Sequence, residues 1–196
     1  MKTVALAAVL ALSAGAAQAL TIDFDGLPGG TGVPLGTYEE DGFTISDLTN
    51  GWRQGFAFGA DAPSIFTGFG PAPVEAIEIV ATSGGTFNFI GYDVACAFNP
   101  CSLETMGFLG GDERFSTQST EAIPVGDFTT FPSAFSFVTI DRLVLTLDAP
   151  DSNFDNIELT APQVGSTEVP LPASVLLLGA ALGGLGAAAH ARRSAA

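Results

Sequence analysis

The sequence predicts an all-β domain, a two-sheet jelly-roll-like β-sandwich, flanked by an N-terminal signal helix and a single C-terminal transmembrane helix. Three observations carry this. Between Leu20 and Thr160, short β-rich runs are separated by Gly, Pro, Asn and Asp. Several runs alternate apolar and polar residues with period two, and none keeps a helical period over about eleven residues. The two chain ends, by contrast, are apolar and almost uncharged.

The N-terminus, MKTVALAAVLALSAGAAQA, has one lysine, an apolar stretch from Val4 to Leu12, and small residues ending in Ala17-Gln18-Ala19. This is the layout of a secretory signal peptide with an A-x-A cleavage site formed by Ala17 and Ala19, so residues 1–19 are expected to be removed, leaving Leu20 first. Its apolar core is far shorter than the ~20 residues a spanning helix needs.

The domain, residues 20–160, contains the runs LTIDF, GFTIS, VEAIEIVA, TFNFIGYDVA, AFSFV, DRLVLTLD and NFDNIEL. In VEAIEIVA the alternation sets Ile77 and Ile79 against Ala76, Glu78 and Val80; in DRLVLTLD it sets Leu143, Leu145 and Leu147 against Val144, Thr146 and Asp148. About eight to twelve such strands with turn signals between them suit a sandwich. All 16 phenylalanines lie in this domain and are expected to fill the space between the sheets. APQVGSTE, residues 161–168, is a polar linker.

All 21 acidic residues lie between Asp23 and Glu168, against three arginines, Arg53, Arg114 and Arg142, so this segment carries −18. Such a charge repels nucleic acid and anionic membrane surfaces. The segment has no lysine and no histidine, since Lys2 and His190 lie at the two ends. That excludes Ser-His-Asp and Cys-His nucleophiles, Schiff-base lysines, P-loops and His-based zinc sites. Cys96 and Cys101, the only cysteines, sit in CAFNPC. In an exported chain they are expected to form a disulfide across the Asn99-Pro100 turn.

The tail holds VPLPA (Val169, Pro170, Leu171, Pro172, Ala173), then 17 uncharged residues at 173–189, then a basic end at 190–193 containing Arg192 and Arg193. At ~1.5 Å per residue the apolar run spans about 25 Å, a thin membrane crossing. The arginines stay cytoplasmic, which puts the acidic domain outside the inner membrane. This order of proline signature, apolar helix and basic cluster resembles the PEP-CTERM class of sorting signals, in its VPLPA variant. The resemblance covers residues 169–193. It implies a partner, an exosortase-type membrane transpeptidase that cleaves near the motif, in a Gram-negative exporter of exopolysaccharide. The protein is then transiently anchored before reaching the cell surface or the medium. In the parent motif a glutamate stands where Leu171 does. Two prolines keep the backbone extended and accessible just before the apolar run.

DFDGL, YEEDGFTIS, GFLGG and FDNIEL resemble the β-sandwich domains found upstream of such tails, and more loosely jelly-roll carbohydrate-binding modules. The looser resemblance implies a structural calcium held by an acidic residue after the first strand and an Asp in the last. Read by themselves, Asp155, Ile157 and Leu159 share one parity, so a regular strand would point Asp155 into the core. A buried carboxylate needs a partner: Arg142 or Arg114, or a cation completed by Asp23, Asp25 or a loop carbonyl. Asp151-x-Asn153-x-Asp155 imitates the start of an EF-hand loop, but Asn156 replaces its glycine and Pro162 its last glutamate. Trp52-Arg53-Gln54 is the candidate glycan contact, an aromatic face beside hydrogen-bonding groups.

The expected function is therefore that of an exported, non-catalytic protein of the cell surface or exopolysaccharide matrix, with no required cofactor. The alternative is a lectin-like module binding glycan through Trp52 and Arg53, with a structural calcium at Asp23, Asp25 and Asp155. A carboxylate hydrolase is the third reading.

Overall fold

The computed structural model describes residues 18–163 apart from 56–62, 69–73, 98–99, 122 and 124–125. The signal helix, the VPLPA motif and the transmembrane helix expected at 173–189 lie outside the described residues. The chain divides into two compact units, Met1–Pro162 and Gln163–Ala196.

The first unit is all-β. Its strands are β1 (Ala19–Ile22), β2 (Thr37–Glu40), β3 (Phe43–Asp47), β4 (Trp52–Gly55), β5 (Ser64–Thr67), β6 (Glu75–Ala81) and β7 (Phe87–Ala95). There follow β8 (Cys101–Leu109), β9 (Asp112–Glu121), β10 (Thr129–Pro132), β11 (Thr139–Ile140), β12 (Arg142–Asp148) and β13 (Asn153–Thr160). One sheet runs β2-β3-β6-β12-β8-β9. The other runs β10-β7-β13-β5-β4, with β1 on β13 and β11 on β7. The pairings within both sheets are antiparallel.

The period-two runs do what their pattern implies. In β6, Ile77 and Ile79 are fully buried while Ala76, Glu78 and Val80 are half-buried. β12 lies between β6 and β8, so the flanking strands also cover its outer face, and Val144 and Thr146 are buried along with Leu143, Leu145 and Leu147. The aromatic side chains form the interior: Phe43 meets Phe87 edge-on, and Trp52 stacks on Phe154 at 5.3 Å. The cysteines form the expected disulfide, with both residues fully buried and Cα atoms 6.5 Å apart.

AFSFV is not a strand. Residues 134–137 form a turn closed by Val138 N–H donating to the Phe135 carbonyl, and Phe137 is 78% exposed. The two phenylalanines mimic a strand face, but only Phe135 packs inward, flat on Phe115 at 4.7 Å.

Candidate functional site

Trp52 and Gln54 are built into the interior of the sandwich, and Arg53 between them is not. The backbone N–H of Trp52 donates to Asp47 Oδ2 (3.0 Å), and the same carboxylate accepts from Thr49 and Asn50, closing the turn from β3 into β4. The indole ring is fully buried against Phe154. The expectation of Trp52 as a glycan platform is therefore corrected: no face of the ring reaches solvent, because inward parity on β4 places it between the sheets. Gln54 is buried too, accepting from Gly29 N–H and donating to the Pro34 carbonyl, which pins the long β1–β2 connection. Arg53 is half-buried on the opposite face of β4, paired across to Phe66.

Asp155 is buried, but not in the space between the sheets. Its cross-strand partner is Asp93, while neighbouring Phe154 pairs with Val94, and those two are in the core. Successive residues face opposite ways, so Asp93 and Asp155 share the outer face of the seven-stranded sheet. The expected parity with Ile157 and Leu159 fails because β13 carries a bulge between Asp155 and Glu158, where Asn156 adopts a left-handed φ of 44°. Asn tolerates that conformation better than most residues. Its side-chain amide donates to Asp93 Oδ2 (2.9 Å), and its backbone N–H donates to Asp155 Oδ1 (2.8 Å).

Neither arginine partners Asp155. Arg142 lies in the other sheet, bonded to Glu78 at 3.3 Å and stacked over Phe108, and Arg114 is exposed on β9. Asp155 instead faces carboxylates. Burial is the main cause that pushes its pKa up to about 7; the Asn156 N–H opposes this, and Asp93, Asp23 and Asp25 reinforce it. Glu40 is also raised to about 7, by burial first and then by its side-chain hydrogen bond with Asp23, although Phe24 N–H donates to it. Burial and then Glu40 hold Tyr38 up at about 12. Of these carboxylates, the fold pairs Asp155 with Asp93 across β13 and β7, and Glu40 with Asp23. Among the described residues no group of three or more His, Cys, Asp or Glu is placed to hold a metal ion. The EF-hand-like spacing does not form a loop of that kind: Asn153 lies in β13 and donates to Ser64 Oγ, and Asp151 adopts a left-handed φ of 49°.

Hollows on the described domain include one at the seam of the sheets and one on a sheet face. The first, about 140 Å³, lies at the seam where the edge strands β9 and β10 bring the two sheets together. Its cause is readable in β9. Phe115, Thr117 and Ser119 lie directly opposite Gly107, Thr105 and Leu103 on β8, so all face inward. Only Phe115 is large. Beyond it the inward side chains shrink to hydroxyls, and Thr117 remains exposed and Ser119 half-buried despite inward parity. Tyr92, Phe131 and Phe135 supply the aromatic wall, with Tyr92 and Phe131 stacked at 6.0 Å. Tyr92 Oη lies 3.5 Å from Thr105 Oγ1. No lining residue carries a charge. The second hollow, about 300 Å³, is a polar depression on the outer face of the seven-stranded sheet, beside Thr21, Gly91, Asp93, Thr130, Asn156 and Glu158.

No family model matches the chain. No curated protein matches it either. Among solved structures it is similar to a family 29 carbohydrate-binding module from Piromyces equi, at 16% identity and TM-score 0.43, over 76% of this chain and 94% of that one. It is also similar to TmCBM61, solved with β-1,4-galactotriose, at 13% identity and TM-score 0.37, over 61% of this chain and 88% of that one. A third is the enzymatically active domain of bacteriophage CBA120 tailspike protein 4, at 14% identity and TM-score 0.37, over 65% of this chain and 21% of that one. These are similarities of strand arrangement.

Proposed function

We propose that the chain is an exported, non-catalytic protein of the cell surface or exopolysaccharide matrix, held in the inner membrane by its tail until an exosortase-type transpeptidase processes it. The observation that supports this is where the sandwich starts and stops. β1 begins at Ala19, the last residue of the expected signal, and β13 ends at Thr160, where the linker begins. Ala19 pairs with Thr160, and Ala161 N–H donates to the Gln18 carbonyl at 2.7 Å. The fold thus uses the segment between the two sorting elements and little of either. The first and last strands of the described domain form one pair.

Intact mass spectrometry of the protein from its native host tests this reading. The expected mass starts at Leu20 and stops near Val169–Ala173, with or without an added group. A mass running from Leu20 to Ala196 in membrane, surface and medium fractions alike overturns processing.

The seam cleft favours a second reading, a lectin-like module that binds matrix glycan. No cofactor is required for either. A structural calcium would be drawn to Asp23, Asp25 and Asp155, and its expected sign is a rise in melting temperature on adding calcium at pH 8 that Asp155→Asn abolishes. An unchanged melting temperature removes calcium from the reading.

A further inference from the structure

We propose that the seam cleft between β9 and β10 is a subsite for one uncharged hexopyranose unit, and that it rejects sugar acids; the inference rests on the glycan-binding reading above. Size sets the first limit. At the roughly 10–15 Å³ that one water-sized group requires, a hollow of about 140 Å³ holds about nine to fourteen such groups, so one hexopyranose of about twelve heavy atoms fills it and a second ring would lie outside.

Chemistry sets the second. A pyranose has C–H faces that pack on aromatic rings and an equatorial rim of hydroxyls that both donate and accept. The cleft offers both: the half-buried rings of Phe131 and Phe135, with Tyr92 packed behind them between Phe89 and Phe131, and the hydroxyls of Thr105, Thr117 and Ser119. Among the described residues the hydroxyls of Thr117 and Ser119 have no side-chain partner. They point from edge strand β9 into the hollow, and a hydroxyl both gives and takes a hydrogen bond.

Charge sets the third. The lining has no cation to pair with a carboxylate, and the segment around it carries 21 acidic residues against three arginines. An anionic sugar would enter a negative field and lose water with only hydroxyl donors, and no cation, in exchange. A neutral ring pays neither penalty.

The test uses the chain from Leu20 to Ala196 in a detergent that carries no sugar head group, and saturation-transfer NMR with methyl glucoside, methyl galactoside, methyl mannoside and glucuronate as probes. At least one neutral glycoside is expected to receive saturation, through its ring C–H protons, and glucuronate is not. Thr117→Phe fills the cleft from an exposed position and is expected to weaken binding about tenfold or more. Thr130→Phe, in the depression on the sheet face, leaves it unchanged. If Thr117→Phe does not fold, Ser119→Val, which removes one hydroxyl, carries the same expectation in smaller degree. Binding that survives Thr117→Phe but not Thr130→Phe overturns the cleft. Equal saturation of glucuronate overturns the charge selection. If no monosaccharide binds, the subsite is overturned, whereas the glycan-binding reading itself falls only if polysaccharide from the host also fails to co-sediment with the chain.

Discussion

Trp52 concentrates the competing pressures on single residues. Its ring is fully buried and stacked on Phe154, yet among the described residues its indole N–H has no hydrogen-bond partner. An unmet buried donor costs about 1–3 kcal/mol, which offsets part of what the ring contributes. Trp52→Phe is therefore expected to cost under ~1.5 kcal/mol and Trp52→Ala about 3–5 kcal/mol, measured by urea unfolding. Comparable losses in the two variants would mean that the N–H is satisfied in solution. Gly51, next to it, has a different constraint. A Cβ there would lie 1.9 Å from the Glu75 carboxyl, which is buried and accepts from the Thr49 hydroxyl. Gly51→Ala should cost about 1–3 kcal/mol, and adding Glu75→Ala should recover part of that loss. Simple additivity in that double-mutant cycle would show that the two positions do not touch.

Among the elements, β13 and β2 carry the carboxylates whose titration reports on folding. The folded pKa values of Asp155 and Glu40, about 7, lie above those of free carboxylates at about 4. The folded state therefore binds protons that the unfolded state has released. The stability these groups confer is complete below about pH 4 and is lost as pH rises through about 7. Thermal unfolding from pH 5 to pH 8 should show a falling melting temperature, with Asp155→Asn flattening the slope and gaining at pH 8. A melting temperature that rises over this interval would show that the two groups are ionised in the fold. The disulfide is the other local device. It joins residues separated by 5 positions, and closing so small a loop is worth about 2 kcal/mol by chain entropy. Replacing both cysteines by alanine should lower stability by at least that amount, because both residues are fully buried in the core and the smaller side chains leave space behind.

For the whole molecule, the pairing of first and last strands decides when folding can finish. β1 docks on β13 through Leu20↔Leu159 and Ile22↔Ile157, so the seven-stranded sheet closes only when residues about 140 positions apart meet. Chains truncated after Asp148 lack β13, which bridges β1, β5 and β7, and should stay protease-sensitive. Chains ending at Pro162 should be protected. Removing the first residues is expected to matter equally: a chain beginning at Asp25 loses Ile22 and Phe24, both fully buried, and should not fold, while one beginning at Leu20 should. Protection of both truncated forms would mean that β1 and β13 are dispensable.

The sequence by itself determined the all-β class, the inward faces of β6 and β12, and the disulfide. Each rests on a local pattern: period-two alternation, turn residues, or two cysteines five positions apart. What only the tertiary structure decided is which side chains meet. Asp155 carried the wrong parity because one left-handed residue, Asn156, reverses the face of the strand, and nothing local in FDNIEL announces that reversal. AFSFV alternated like a strand and became a turn, because Phe135 finds its partner in Phe115, twenty residues earlier. Trp52 had the composition of a binding surface but went to the core, since burial depends on what the opposite sheet presents. The seam cleft had one legible sign, the shrinking of inward residues from Phe115 to Thr117 and Ser119. That sign acquires meaning only once β10 is known to stand opposite, because a cavity belongs to two strands and a sequence pattern to one.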